Sequence, residues 1–397
     1  MNRLTAAIVG AGPAGLFTLD ALLRQAPGVR VDLYERLPTP FGLIRSGVAP
    51  DHQGVKAVVR QFDRAFAREE VRLIADCEVG AALPLELLCE AYDLVFMATG
   101  APLSRRLGVP GEDLDGVYPA AAFMAWLNGH PDHVDLNPQV GEQVVIVGGG
   151  NVALDVARVL AKTEAEMANS DLCAHARRIT GAARVITLAV RAMPDQARFI
   201  PAEIAALCRL EAAQVGFELP AGADRSAPVA AALSAAPQRP SPARVRIDFR
   251  FGLEAIEVEG RDRIERVRFR GSDGLHDCVP ADTLIVAVGQ EAGAPAVKAR
   301  TYPVGWAAGG RGDIPAARAE AAAAVRRALA ETAPQPREAA YAQLEGRLEE
   351  TGRGFLDWAA WRRIDAAERA AALGSRPREK LVSRGALREA ARLYETE

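Results

Sequence analysis

The chain has 397 residues, and its 48 Lys and Arg against 51 Asp and Glu leave a net charge of −3. That balance offers no global attraction for nucleic acid or an anionic membrane, so neither is an expected partner. Hydrophobic residues at 49% and charged residues at 25% are the mix of a soluble globular protein, long enough for two or three domains.

No apolar run approaches the ~18 residues of a membrane-spanning helix. The N-terminal "MNRLTAAIVGAG" has a basic residue and an apolar run, but the run leads straight into a glycine fingerprint, so a cleaved leader is not expected. Cys77, Cys89, Cys173, Cys208 and Cys278 are scattered, with no C-x-x-C spacing. This argues against a disulfide framework, a metal site or a redox-active dithiol, and it fits a reducing cytoplasm.

Residues 5–36 predict strand, tight turn, helix, strand. "TAAIVG" is a buried apolar run, "GAGPAG" supplies Gly10, Gly12 and Gly15, and "LFTLDALLRQ" has helical periodicity. "VRVDLYER" then alternates and carries Glu35, about 20 residues past the last glycine, the distance at which an acid meets ribose hydroxyls. Gly10 permits the tight turn, Gly12 lets the backbone approach a diphosphate, and Gly15 lets helix and strand pack closely. The diphosphate would sit at the helix N-terminus, where free N–H groups and the dipole favour anions. A lone glycine-rich turn is weak evidence; the flanking strand, the helix and the acid make this one strong.

The next stretch, "LPTPFGLIRSGVAPDHQGVK" (37–56), is rich in proline and glycine yet bulky at Phe41-Gly42-Leu43-Ile44, and it carries Arg45, Asp51, His52 and Lys56. It is too apolar for an exposed linker and reads as a segment lying against something flat that is not protein. "YDLVFMATG" (92–100) follows as a buried strand. A second fingerprint, "QVVIVGGGNVALDVARVL" (143–160), has Gly148, Gly150 and Ala153 in the G-x-G-x-x-A variant. Two such units suggest a flavin and a nicotinamide on separate lobes of one enzyme. Residues 213–243 are Ala/Pro-rich with little periodicity and read as a variable surface excursion. "ADTLIVAVGQ" (281–290) is another buried strand, and 316–351 reads as helical.

Taken together, "ERLPTPFGLIRSGVAPDHQGVK", "GGGNVALDVARVL", "YPVGWAAGGRGDI" (302–314) and "FLDWAAWRRIDAAERAAALGSRPREKL" (355–381) closely resemble the adrenodoxin reductase-like ferredoxin–NADP+ reductases. The resemblance implies an α/β fold of two Rossmann-like dinucleotide-binding lobes. The FAD lobe would be discontinuous, from 1–105 and 290–397, with an NAD(P) lobe at 106–289. It also implies that the segment 37–56 passes the FAD ring system and that its histidine lies near the redox centre. Carried over by position, Ala14, Glu35, Leu43, Val79, Trp306 and Ile314 contact FAD, alongside the fingerprint glycines. Gly150, Asn151 and Val152 contact the nicotinamide dinucleotide, Gly312 lies where the two cofactors meet, and His52 and Asp155 match polar residues near the reacting rings. Each has a plainer alternative: Trp306 as core, Asp155 facing solvent on its helix, His52 capping a turn.

The pattern breaks on the nicotinamide side. The family has a paired arginine that grips the 2′-phosphate of NADP(H); here "TLAVRAMPDQARFIPAEIAAL" keeps Arg191 but has Ala192 beside it, with Arg198 as a substitute. Glu203 matches a family glutamate, and a second glutamate one turn later becomes Ala206. The connection between "AVGQ" and "YPVGW" runs only from Glu291 to Thr301, shorter than is usual in the family. The implied function is a soluble, monomeric flavoprotein passing electrons from NADPH, with NADH as an alternative donor, through FAD to a ferredoxin-type iron–sulfur protein. A flavin enzyme acting on a small organic substrate, and a non-catalytic flavin-binding sensor or scaffold, are the rival readings.

Overall fold

The first apolar run forms strand β1 (Thr5–Val9), followed by helix α1 (Pro13–Gln25), with proline at the helix's first turn, and β2 (Arg30–Glu35). The structure, a computed structural model, describes residues 3–220, 222–237, 243–293, 300–309, 314–350 and 354–392. The proline- and glycine-rich segment contributes only two single turns of helix, α2 (Leu43–Ser46) and α3 (Gln53–Lys56). Strands β3 (Val71–Ala75) and β4 (Leu94–Met97) complete the first pass.

The chain then builds a second sheet. Strands β5 (Val117–Pro119) and β6 (Gln143–Val147) lead into helix α4 (Asn151–Ala161), β7 (Val185–Val190) and α5 (Pro201–Cys208). Next come β8 (Ala213–Glu218), α6 (Pro228–Ser234), β9 (Val245–Phe251) and β10 (Thr283–Val286). A three-stranded antiparallel sheet (Leu253–Gly260, Ile264–Gly271, His276–Pro280) lies between the last two. The chain returns to the first sheet through β11 (Thr301–Pro303), which pairs with β4, and ends in α7 (Ile314–Glu331), α8 (Glu338–Glu350), α9 (Trp358–Ala370) and α10 (Arg384–Arg392).

Both large sheets are parallel, in the orders β11-β4-β1-β2-β3 and β5-β10-β6-β7-β9-β8. Each fingerprint strand therefore has neighbours reached in opposite chain directions, which opens a crevice at its carboxyl end. The period of two along each strand feeds two cores. Ala6 and Ile8 face one shared with Val325, Trp361 and Leu387 from the C-terminal helices, and Ala7 and Val9 face another holding Tyr92 and Leu344. Val144 and Ile146 pack with Leu154 and Phe249, and Val145 and Val147 with Val267 and Phe269 of the antiparallel sheet. A buried Asp32 carboxylate accepts the Tyr341 hydroxyl at 2.7 Å, which ties α8 to the N-terminal sheet.

Two expectations need correction. The stretch 213–243 is not wholly a surface excursion: its start is edge strand β8, paired with β9, and Val229 and Leu233 of α6 are buried in the core. Tertiary pairing outweighs a weak local pattern there. The helical stretch 316–351 is two helices, separated at 332–337, where Pro334 and Pro336 cannot continue the hydrogen-bond ladder.

The segment 37–56 is fixed by buried charge. Lys56 Nζ donates to Asp171 Oδ1 at 2.7 Å and to Asn128 Oδ1 at 2.6 Å, while Lys380 reaches Asp171 Oδ2 at 2.9 Å. Arg45 pairs with the fully buried Glu368. Burial raises the Asp171 pKa, but Lys380 and Lys56 outweigh it and hold the carboxyl at about 2. Its contribution to stability is therefore complete above the unfolded value of about 3.9 and fades as pH falls toward 2. Burial and the neighbouring Lys380 push the Lys56 pKa well down, and Asp171 is what opposes this. Asp171→Ala, which leaves both buried lysines without a carboxylate, is expected to cost about 3–5 kcal/mol in urea unfolding at neutral pH. A loss below about 1 kcal/mol would show that the two lysines do not depend on this carboxylate.

Candidate functional site

The fingerprint glycines divide by what requires them. Gly10 has φ +106°, and a Cβ there would lie 2.4 Å from the Ala98 carbonyl oxygen; a Cβ on Gly15 would lie 1.9 Å from the Gly10 oxygen. Gly148 likewise would meet the Ala287 oxygen at 2.3 Å. Turn and packing demand these three. Gly12 and Gly150 differ: both backbones are extended (φ −79°, ψ −174° and φ −120°, ψ 169°). The nearest atom to a Cβ on Gly12 is 3.9 Å away, and nothing lies within 4 Å of one on Gly150. The middle glycine of each fingerprint is thus unexplained by the protein itself; in dinucleotide-binding turns generally it is the position that lets a diphosphate approach the backbone. The α1 ladder begins only at Leu16 N–H to Gly12 O, 3.0 Å, and its first turn carries no acid that would compete with an anion.

Glu35 ends β2 and is 7% exposed. It accepts the Ala11 N–H at 2.9 Å and the Leu37 N–H at 3.0 Å, and burial, outweighing these contacts, raises its pKa. The carboxylate thereby fixes the loop at both ends of the first cradle. The segment 37–56 lies directly on that cradle: Phe41 N–H donates to Ala11 O at 2.8 Å, and a Cβ on Gly42 would stand 2.9 Å from Gly12 Cα. Leu43, next in sequence, is 40% exposed. On the opposite flank, a Cβ on Gly305 would lie 2.5 Å from the Ala14 Cβ, which sets the turn carrying half-buried Trp306 against the start of α1. Val79 is half-buried and bridges to Leu83 beyond the end of β3. Ile314 opens α7, its side chain outside the described residues, as is Gly312.

The two lobes meet at His52. Its Nδ1 lies 3.6 Å from Asp155 Oδ1 and its Nε2 lies 3.5 Å from Glu203 Oε2, so one imidazole from the first lobe is held between two carboxylates of the second. Behind it, Arg158 donates from Nε and Nη2 to Asp51 at 2.7 and 3.1 Å, and also contacts Asp155 at 2.7 Å and Glu203 at 3.5 Å. Lys162 adds 2.8 Å to Asp51. Burial raises the Asp51 pKa, but Arg158 and Lys162 overcome it and hold the carboxyl well below the usual range. At Asp155 burial wins over Arg158 and His52, and its pKa rises. The ligand atoms of His52, Asp155 and Glu203 lie within 4.8 Å of one another, as around a metal ion. A guanidinium already resting on both carboxylates opposes a second cation there.

The second cradle is closed by the segment after β7. Arg198 N–H donates to Gly149 O at 2.8 Å, and Ile200 N–H to Asn151 Oδ1 at 2.9 Å, which folds 193–200 back onto the fingerprint. Arg191 and Arg198 are exposed, and Val152 and Ile200 are each 47% exposed. Sequence reasoning missed Asp51, Arg158 and Lys162. Spacing could have paired Asp155 with Arg158, three residues apart on one helix, but nothing local points from Arg158 to Asp51.

Residues 4–219 match the pyridine nucleotide-disulphide oxidoreductase family. The chain is 47% identical over 171 residues to the mitochondrial NADPH:adrenodoxin oxidoreductase of Arabidopsis thaliana, 43% of this chain and 35% of that protein. The aligned region is therefore about a third of that relative's length. It is 33% identical to the NADPH-ferredoxin reductase FprA of Mycobacterium leprae, over 71% of this chain and 70% of that one. The structure of Mycobacterium tuberculosis FprA in complex with NADPH superposes with a TM-score of 0.89 at 30% identity, covering 98% of this chain and 99% of that chain.

Two glycine substitutions separate folding from cofactor binding. Gly12→Ala is expected to keep native circular dichroism and unfold within about 0.5 kcal/mol of the parent under FAD-free conditions, yet to purify without flavin. Gly10→Ala, forced into a left-handed backbone and a carbonyl clash, is expected to lose at least about 1–3 kcal/mol of stability. Full flavin content in Gly12→Ala would show that no diphosphate crosses that glycine.

Proposed function

Because the chain belongs to the pyridine nucleotide-disulphide oxidoreductase family, among the adrenodoxin reductase-like ferredoxin–NADP+ reductases, we propose that it passes electrons from NADPH through FAD to a ferredoxin-type iron–sulfur protein. The observation that carries this reading is His52, set on the segment lining the first cradle and held by Asp155 and Glu203 beside the second. Bound FAD supplies the chemistry, accepting a hydride and releasing single electrons. The protein's task is alignment.

In this reading the N-terminus of α1 and Gly12 hold the FAD diphosphate, Glu35 the ribose, and Leu43, Val79, Trp306 and Ile314 the remaining surface. Gly148, Gly150, Asn151 and Val152 cradle the nicotinamide dinucleotide. Arg191 and Arg198 meet the 2′-phosphate, for which the planar guanidinium is suited. Asp155 and Glu203 fix the His52 ring at the junction, and Arg158 offsets their charge. A hydride needs no proton relay, so Ala206 in place of a carboxylate leaves the transfer intact. A monomer in the cytoplasm is the state this reading assigns. The five free thiols fit a reducing compartment, and among the described residues no helix is long and apolar enough to cross a membrane. NADPH-driven reduction of cytochrome c that depends on a ferredoxin from the same organism tests the reading. Flavin reduction by NADPH with no such ferredoxin accepting electrons would move the assignment to an organic substrate.

With one arginine of the usual pair, the preference for NADPH over NADH is set by few contacts. Arg191→Ala is expected to raise KM for NADPH about ten- to a hundredfold, the worth of one charge-assisted hydrogen bond, and to leave KM for NADH nearly unchanged. Equal effects on both would place Arg191 away from the 2′-phosphate. His52→Ala is expected to slow flavin reduction or reoxidation while FAD stays bound, because the main grips on the nucleotide lie elsewhere. Unchanged rates in both half-reactions would leave His52 only its contacts with Asp155 and Glu203, with no part in electron transfer.

A further inference from the structure

At the amino end of the second sheet, opposite its nucleotide cradle, lies a cavity of about 470 Å³. Lys162 follows the last residue of α4, Arg184 and Arg244 stand immediately before β7 and β9, and Arg177 and Arg376 complete a wall of five cations. Those strands are parallel, so the cavity sits at their amino ends and the cradle at their carboxyl ends, about 20 Å apart.

Three of the five cations have a carboxylate in reach. Lys162 pairs with Asp51 and Arg177 with Glu379, while Arg184 lies only 3.9 Å from an exposed Glu142. Among the described residues Arg244 and Arg376 have no carboxylate partner. Arg244 Nη2 donates to Ala161 O at 2.7 Å, which leaves its Nε and Nη1 buried without an acceptor, as is Arg177 Nε. Arg376 makes one long contact, Nη1 to Ser170 O at 3.5 Å. The Arg244 guanidinium fills space that Gly181 leaves open, since a Cβ at that position (φ +82°) would lie 2.9 Å from Nη1. Burial and a neighbouring arginine lower the pKa of each, Arg184 acting on Arg244 and Arg177 on Arg376, with weaker opposing pulls from Glu166 on Arg244 and from Glu379 and Glu164 on Arg376.

An anion with several oxygens would accept charge-assisted hydrogen bonds from a wall that sets five cations against one acid. The one acid in the wall, Glu164, is exposed. Met167 and Leu172 supply a buried apolar floor, suited to an organic body attached to the anion. The recess favours a small molecule over the flat surface of a protein partner. We propose that this cavity binds a phosphate-bearing organic molecule, its phosphate on Arg244 and Arg376, at a site separate from the nicotinamide dinucleotide.

The test is calorimetric titration of phenyl phosphate into the FAD-loaded protein saturated with NADP+, with inorganic phosphate and phenol titrated in parallel. One saturable site is expected for phenyl phosphate, weaker binding for inorganic phosphate and none for phenol. Arg244→Gln and Arg376→Gln should each weaken binding at least about tenfold, and Arg191→Ala should not alter it. Arg244 also caps the end of α4, so if its variant does not fold, Arg376→Gln decides. Absence of saturable binding overturns the proposal. So does binding that Arg376→Gln retains, or binding that Arg191→Ala abolishes.

Discussion

The Asp51–Arg158 pair is the constraint on which the rest of the site depends. Its side chains are 5% and 4% exposed, and two parallel contacts at 2.7 and 3.1 Å fix both distance and angle between a segment of the first lobe and a helix of the second. Removing two charges from water is costly, and the arrangement holds because the guanidinium also serves Asp155 and Lys162 also serves Asp51. Asp51 precedes His52, so the position of the imidazole follows from that pair. Asp155 and Glu203 then meet both ring nitrogens from across the junction. Lys56 and Arg45, on the same segment, repeat the device with Asp171 and Glu368. A stretch with no helix or strand of useful length is thereby made rigid by ion pairs.

The cradles show a second economy. Gly10, Gly15 and Gly148 serve the fold, through left-handed backbone or contact with a neighbouring carbonyl, whereas no contact within the protein demands glycine at Gly12 or Gly150. The segment 37–56 and the turn at Gly305 press on the first cradle from two sides, at Gly12 and Ala14. Residues far apart in sequence thus bound the first cradle, and the return of β11 to the first sheet brings the second of them home.

Legibility in the sequence followed locality. The units β1-α1-β2 and β6-α4 were readable because their glycines, apolar runs and Glu35 recur at fixed spacing within one supersecondary unit. His52 and Asp155 came only through resemblance to a family, since periodicity says nothing of a histidine in a turn. Arg158 and Asp51 stayed hidden because their pairing joins positions with no shared element, and the same holds for Lys56 with Asp171. Strand β8 was obscured because "AQVGFE" is short, contains Gly216 and precedes Ala/Pro-rich chain; its partner β9 supplies what the pattern lacks. Arginine is so abundant here that no single one in the cavity behind the second sheet stood out.

Whatever donor the exposed Arg191 and Arg198 favour, the junction itself is complete, with His52, Asp155, Glu203 and Arg158 all in place. The central claim is that this junction brings a nicotinamide ring onto a flavin. Anaerobic rapid mixing of the FAD-loaded protein with NADPH, and with NADPH deuterated at the transferred position of C4, tests it most directly. The flavin absorbance is expected to bleach in a single turnover, more slowly with the deuterated donor. A flavin that stays oxidised under excess NADPH would contradict it.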